Sequence, residues 1–275
     1  MKKEGILLTV VILLSAAGFA QAQEGELHGA IDFTYQSKYI WRGFDVYGDK
    51  SAIQPSIDLD LFGTGFGINV MAHRANSSEW EDGERWDYTV YYGNALFPDE
   101  TYATSYMIAY RYYNFPDSSS HAESSTDLQE VHTLLSWPNL LPVKGLVPRY
   151  CLVKLWPSNS GTIVGSRNLS GGTSSGWAHI FMLDYGLTVP GLLPDTPEQT
   201  LRLHTEMVYN DGVDPRPHGN ADHDWSNIVF GVETDFDLGN NLTFTPGVYH
   251  QITMDDSVND DQDETWVSLS MRYTF

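Results

Sequence analysis

The chain of 275 residues has one cysteine, 15 Lys and Arg, and no apolar run after residue 22 as long as the one before it. One cysteine excludes an internal disulfide and every Cys-rich zinc framework. Fifteen basic residues against 36 acidic ones give a formal charge of −21. That balance excludes nucleic acid as a partner, because a phosphate backbone is bound through an excess of Lys and Arg. After residue 22 nothing reaches the roughly 18–20 apolar residues of a spanning helix. Charged residues are only 19% of the chain, too few for a solvated tail. What is plentiful is Gly (24) and aromatic residues (16 Tyr, 12 Phe, 8 Trp). This suits a β-rich chain with many turns and a large aromatic surface.

The first apolar run is set apart from the fold. Lys2 and Lys3 precede it, it extends from Ile6 to Ala20, and Ala20-Gln21-Ala22 offers a small-residue cleavage site. These features describe a secretory signal peptide. The expected organisation is a signal peptide over 1–22 and one exported domain over 23–275.

From Leu27 to Arg42 the sequence alternates. The odd positions include Leu27, Ile31, Phe33, Tyr35, Tyr39 and Trp41, whereas the even ones include His28, Asp32, Thr34, Gln36, Lys38 and Arg42. Successive side chains of a strand point to opposite faces, so one face is greasy and the other polar. Sixteen residues far exceed the usual strand of about 5–6 in a globular sheet. Similar alternation recurs at 53–61, 66–73, 85–92, 102–112, 176–189, 199–210, 224–238, 241–254 and 263–275, and more weakly at 127–137 and 146–156. Twelve strands are expected. Pro55, Pro148 and Pro246 fall inside them, and the proline-rich stretch 138–156 leaves ten or fourteen strands as alternatives.

Tight turns at Gly63-Thr64-Gly65 and Gly239-Asn240-Asn241 alternate with longer polar segments at 77–84, 116–125, 157–175, 211–223 and 255–262. The first outer connection, near Gly48-Asp49-Lys50, is expected to be short. Long loops on one side and short turns on the other mark an outer-membrane barrel. Lipid offers no water to satisfy a sheet edge, so the strands must close. Val267, Leu269, Met271, Tyr273 and Phe275 share one face, and the chain ends on Phe275. This resembles outer-membrane barrels whose assembly machinery reads an aromatic terminus, which makes Tyr273 and Phe275 the assembly signal. The fold class is all-β, a transmembrane antiparallel up-and-down barrel in the bacterial outer membrane. Its partners would be outer-membrane lipids and lipopolysaccharide, the barrel assembly machinery and small polar solutes.

Ser37-Lys38-Tyr39-Ile40-Trp41-Arg42-Gly43 resembles the opening of the TorF-type porins (the Gcw_chp family). Members of that family begin, after a signal peptide, with a strand ending in a similar Tyr-x-x-Arg-Gly phrase and a glycine-rich second hairpin. Gly63 to Val70 is similar to that hairpin. The resemblance spans roughly residues 30–95 and implies a porin without naming a substrate.

Enzymatic arrangements are sparse. No His has Ser two residues later, the spacing of lipid-cleaving barrels; the reversed Ser119-Ser120-His121 lies in a Ser-rich loop. No Asp lies two residues before a His, as a rim protease of the omptin type requires, and in Asp222-His223-Asp224 an extended backbone turns His223 away from its neighbours. Asp255, Asp256, Asp260, Asp261, Asp263 and Glu264 are dense enough for Ca²⁺, but lack the central Gly of an EF-hand; a solvated charged loop is the expected reading. No cofactor, metal or catalytic residue is expected.

Asp32, Lys38, Arg42, Arg85, Asp87, Arg111, Glu130, His132, Arg202, His204, Glu206, Glu233 and Arg272 each fall on the polar face of their segment. A charge on the lipid face costs about 2–4 kcal/mol at mid-depth, so these residues should face inward. Twelve strands give a backbone radius of roughly 12 Å, and inward side chains leave several Å at best. Two readings follow, a wet pore lining or a salt-bridged plug, and the first is adopted: a narrow channel for passive diffusion of small polar solutes. A waist with Asp32, Asp87, Glu130, Glu206 and Glu233 against Arg85, Arg111 and Arg202 would favour cations, and charging of the inward histidines on acidification would weaken that preference. The alternatives are a non-conducting barrel acting as an anchor or adhesion surface, and a rim hydrolase. An affinity tag inserted within 157–175 should be accessible on intact cells; access only after rupture of the outer membrane would reverse the topology.

Overall fold

The computed structural model describes residues 25–116, 127–158, 175–193, 196–213 and 223–275. The signal-peptide segment, Ser119-Ser120-His121 and most of 157–175 and 211–223 lie outside them. Twelve long strands form the body: β1 (His28–Gln36), β2 (Ala52–Asp60), β3 (Phe66–Ala75), β4 (Arg85–Leu96), β5 (Thr104–Asn114) and β6 (Leu128–Ser136). They continue as β7 (Leu146–Pro157), β8 (Gly176–Pro190), β9 (Glu198–Asp211), β10 (His223–Thr234, extended past Asp235 by Phe236–Gly239), β11 (Leu242–Thr253) and β12 (Glu264–Thr274).

Each strand runs antiparallel to the next, and β12 returns to β1 with Asp32 opposite Arg272 and Phe33 opposite Met271. The ring is closed, so its ladder has no free edge. Its outer wall exposes Ile31, Phe33, Val90, Ile108, Phe181, Phe230, Val248 and Leu269. Their sequence neighbours Asp32, Thr89, Ala109, Val229 and Ser268 turn inward, as the period of two requires. A closed ring with an apolar outside is at home only in hydrocarbon. No helix among the described residues could cross a membrane; the strands do so. The chain is an outer-membrane β-barrel of twelve strands.

The end that carries Phe275 and the connections at 61–65, 97–103, 137–145 and 240–241 is the turn end; the opposite end carries the longer segments. Prolines sit where the ladder can spare a donor. Gln54 and Pro55 drop out of the β2–β3 register, and the Gln54 side chain bonds His73 Nδ1 at 2.9 Å there. Pro148 is the third residue of β7. Pro246 lies opposite Thr234, where the pairing of β10 with β11 lapses beside Asp235.

Two expectations fail. The alternation from Leu27 to Arg42 is not a single strand, because β1 ends at Gln36. The connection to β2 is not short either; residues 37–51 fold into the barrel as a small hairpin, Ile40–Trp41 against Phe44–Asp45. Lys38 and Arg42 therefore sit on this hairpin segment rather than on the polar face of a strand at the outer rim. Tyr39 and Trp41 continue the apolar phase of β1, but what surrounds them is protein rather than lipid.

The seam between β1 and β12 closes on the last residue. Gly29 and Phe275 exchange backbone hydrogen bonds at 2.9 Å each way. A Cβ at Gly29 would lie 2.7 Å from the Phe275 ring, which stacks beside Tyr273. Changing Phe275 to Asp places a charge on this wall at the end of the closing strand. Heat-modifiable barrel recovered from the outer membrane is expected to fall to a small fraction of wild type, measured by gel mobility.

Candidate functional site

The barrel interior is organised by the inward hairpin. Its turn, Arg42-Gly43, has φ of 51° and 96°, positive at both central positions as a tight hairpin turn demands. Gly43 is needed twice over. A Cβ there would lie 2.7 Å from Asn227 Oδ1 and 2.9 Å from Val258 Cγ1, so only glycine lets the tip approach the β10 wall. Its carbonyl accepts from Gln251 Nε2 on β11 at 2.8 Å. At the base, Tyr47 is fully buried with its hydroxyl 2.9 Å from the His73 carbonyl. Lys38 bonds Asp49 and, at 2.6 Å, Glu264. Hydrogen bonds to Asp49 and then Glu264 push the Lys38 ammonium above the usual lysine range, and the Lys38 contact holds Asp49 low.

One side of the hairpin packs against β2–β6. Arg85 is bidentate to Asp87, at 2.7 Å through Nε and 3.0 Å through Nη2, and donates to the Tyr39 hydroxyl at 2.6 Å. His73 Nε2 completes the group 3.1 Å from Asp87. The Arg85 guanidinium also lies over the rings of Tyr113 and Trp41, 4.8 and 5.3 Å from their centroids. One rung along, Glu130 accepts from Arg42 at 2.7 Å and from Tyr113 at 2.5 Å, and stands 2.8 Å from His132 Nδ1. Arg111, directly opposite Glu130 in the ladder, donates to Thr89 Oγ1 at 2.9 Å. The Arg85–Asp87 and Arg42–Glu130 pairs are sealed, with Asp87 and Glu130 at 4% and 1% side-chain exposure. Trp41 extends the packing into an apolar cluster of Tyr113, Val153, Leu155, Ile180 and Val208 inside β5–β9, beside Cys151.

Toward the turn end the interior is open. Asp184 lies between Arg149 (3.0 Å) and His204 (2.6 Å). Arg202 bonds Glu233 at 2.8 Å and also Asp235. Asp32 meets Arg272 at 3.3 Å. Glu206 has no Lys or Arg within ion-pair distance among the described residues; its nearest partner is His204 Nε2 at 3.9 Å. These side chains keep between 18% (Asp32) and 50% (Arg272) of their surface inside the ring. A cavity of about 150 Å³ lies between the hairpin and β9–β12, lined by Ile40, Arg42, Glu206, Tyr249, Gln251 and Trp266 among others.

The thirteen inward candidates thus divide. Lys38, Arg42, Arg85, Asp87, Arg111, Glu130 and His132 belong to the hairpin and its seat; Asp32, Arg202, His204, Glu206, Glu233 and Arg272 belong to the open wall. Asp184, Arg149 and Asp235 on that wall were missed, although Asp184 and His204 stand directly opposite each other across β8 and β9. At the rim, His223 meets Asp211 of the neighbouring strand. In the acidic segment, Asp255 and Asp263 accept from the N–H groups of Ser257 and Thr253, and Glu264 holds Lys38.

No family model and no curated protein matches the chain. Among solved structures it is similar to the COG4313 outer membrane channel from Pseudomonas putida F1, at 9% identity over 94% of this chain and 100% of that one, with a TM-score of 0.50. It is also similar to a KdgM porin in complex with disordered oligogalacturonate, at 10% identity over 90% and 99% of the two chains, TM-score 0.47. At 9% identity the likeness to the channel is one of fold, and it agrees with the closed ring.

Arg42→Ala should expose how far the hairpin depends on its buried pair. Removing one partner of such a pair costs about 3–5 kcal/mol, and the Tyr113 and His132 contacts left on Glu130 favour the low end, about 3 kcal/mol. Urea unfolding in detergent micelles measures it, and Arg42→Ala combined with Glu130→Gln should recover part of the loss.

Proposed function

We propose that the barrel is a porin-like channel of narrow bore for passive diffusion of small polar and cationic solutes, similar to the TorF-type porins in its Ser37–Gly43 phrase. The observation that carries this reading is the unequal burial of charge inside the ring. Arg85, Asp87, Glu130 and Glu264, nearer the loop end, are sealed around the hairpin segment, whereas Asp184, Arg202, Glu233, Asp32 and Arg272, nearer the turn end, stay open to the interior. The hairpin acts as the constriction, and the open charges line the approach to it from the turn end.

The open charge favours cations. Asp87 and Glu130 are neutralised by Arg85 and Arg42 and drop out of the field seen by a solute. Asp184 and Asp235 take their place beside Asp32, Glu206 and Glu233, against Arg149, Arg202 and Arg272. A narrow passage with low-dielectric walls focuses such an excess onto permeating ions. The barrel would lie among outer-membrane lipid and lipopolysaccharide, delivered by an assembly machinery that reads Tyr273 and Phe275, and would work without catalysis.

Conductance of the refolded protein in a planar bilayer is the test. A small conductance with a cation-selective reversal potential in a neutral salt gradient is expected. Replacing Tyr39–Tyr47 by a short Gly-Ser link should raise the conductance several-fold. Anion preference would overturn the charge reading. No conductance in either form would make this a sealed barrel that presents its loops as an anchor or adhesion surface.

A further inference from the structure

The cavity beside the hairpin is bordered by two residues with polar atoms that the protein does not satisfy. Gln251 is fully buried. Its Nε2 donates to the Gly43 carbonyl at 2.8 Å and to Thr253 Oγ1 at 3.1 Å. The Gly43 carbonyl can only accept, which fixes the amide orientation and leaves Oε1 as the spare acceptor. Oε1 has no partner. Arg42 uses Nη2 on Glu130, and its buried Nη1 has no partner either. Both residues line the cavity together with Glu206, an acid with no arginine at ion-pair distance among the described residues. An unsatisfied buried donor or acceptor costs about 1–3 kcal/mol, so such groups in one cavity call for an occupant.

The lining specifies the chemistry. Arg42 offers a cationic donor for an anionic group. Glu206 and the Gln251 carbonyl offer acceptors for an ammonium. Ile40, Val229 and the stacked pair Tyr249–Trp266, with ring centroids 5.3 Å apart, supply an apolar wall. A simple cation would face Arg42 and a simple anion would face Glu206, each at a cost that a molecule carrying both charges avoids. At about 150 Å³ the cavity is well below the ~300–1,000 Å³ of a drug-sized site, so the occupant is small.

We infer that this cavity is a binding subsite for a small zwitterion of the α-amino-acid type, its carboxylate on Arg42, its ammonium on Glu206 and the Gln251 carbonyl, and its side chain against Trp266 and Tyr249. The inference rests on the channel reading for the route by which the solute arrives. A subsite of this kind would make the barrel selective at the constriction rather than a plain sieve.

Calorimetric titration of the full barrel, refolded in detergent, tests it with L-valine as the probe. Isobutylamine lacks the carboxylate and isovalerate lacks the amine. Valine should bind at least tenfold more tightly than either, and Glu206→Gln should weaken valine about tenfold while isovalerate binds no worse. Arg42→Lys keeps a cation for Glu130 but loses the second guanidinium nitrogen, and should weaken valine and isovalerate together. Valine binding no tighter than its singly charged analogues, or unchanged in Glu206→Gln, would overturn the site. Valine binding by a barrel that does not conduct keeps the site and discards the channel; conductance without valine binding discards the site alone.

Discussion

A backbone that crosses hydrocarbon must place every N–H and C=O on another strand, and the rest of this structure follows from that requirement. It forces the ring to close between β12 and β1, and it forces every strand to present one face to lipid and one to the interior. It also accounts for where the prolines fall, since a missing donor is tolerable only at a strand end or an interruption of the ladder. The apolar outer face leaves the polar residues no place but the lumen. There they are crowded enough to need partners, and cross-strand pairs such as Arg202 with Glu233 and Asp184 with His204 supply them.

The hairpin solves a second problem, the filling of a ring too wide for its own wall side chains to meet. Its aromatic face lies over Arg85 and against Tyr113, and its tip carries a cation to Glu130. Buried charge is expensive unless paired and hydrogen-bonded. Here the acids come from the wall, and the hairpin segment brings two of the cations that neutralise them, Arg42 to Glu130 and Lys38 to Glu264. The interior is consequently uneven: sealed around the hairpin and its seat, open among the charged pairs nearer the turn end.

The sequence made the lipid-facing alternation legible because the membrane imposes it strand by strand. Ile31 and Phe33 against Asp32 and Thr34 need no knowledge of any other segment. Alternation fades at 146–156 for a reason now visible, since Val153 and Leu155 face an apolar cluster inside the barrel and both faces of β7 are greasy. The inward turn after Gln36 was hidden because Tyr39 and Trp41 keep the phase of β1, and burial in protein and burial in lipid select the same side chains. Arg42-Gly43 and Gly48-Asp49 were the local signs, with φ of 51°, 96°, 55° and 64°. No local pattern could indicate that Arg42 reaches Glu130, 88 residues away, or that Glu206 is left without an arginine.

The partners of the hairpin also carry a consequence for the order of events in assembly. Residues 37–51 follow the first strand, yet Gly43 is held by Gln251, 208 residues later, and Lys38 by Glu264, 226 residues later. The constriction is therefore complete only when β11 and β12 are in place, the strands that also close the ring. A nascent or truncated barrel has an unfilled interior as well as an open edge, and loop closure over such separations is slow. Sealing against lipid and narrowing of the lumen become one cooperative step, so a wide, leaky intermediate has little opportunity to persist in the membrane.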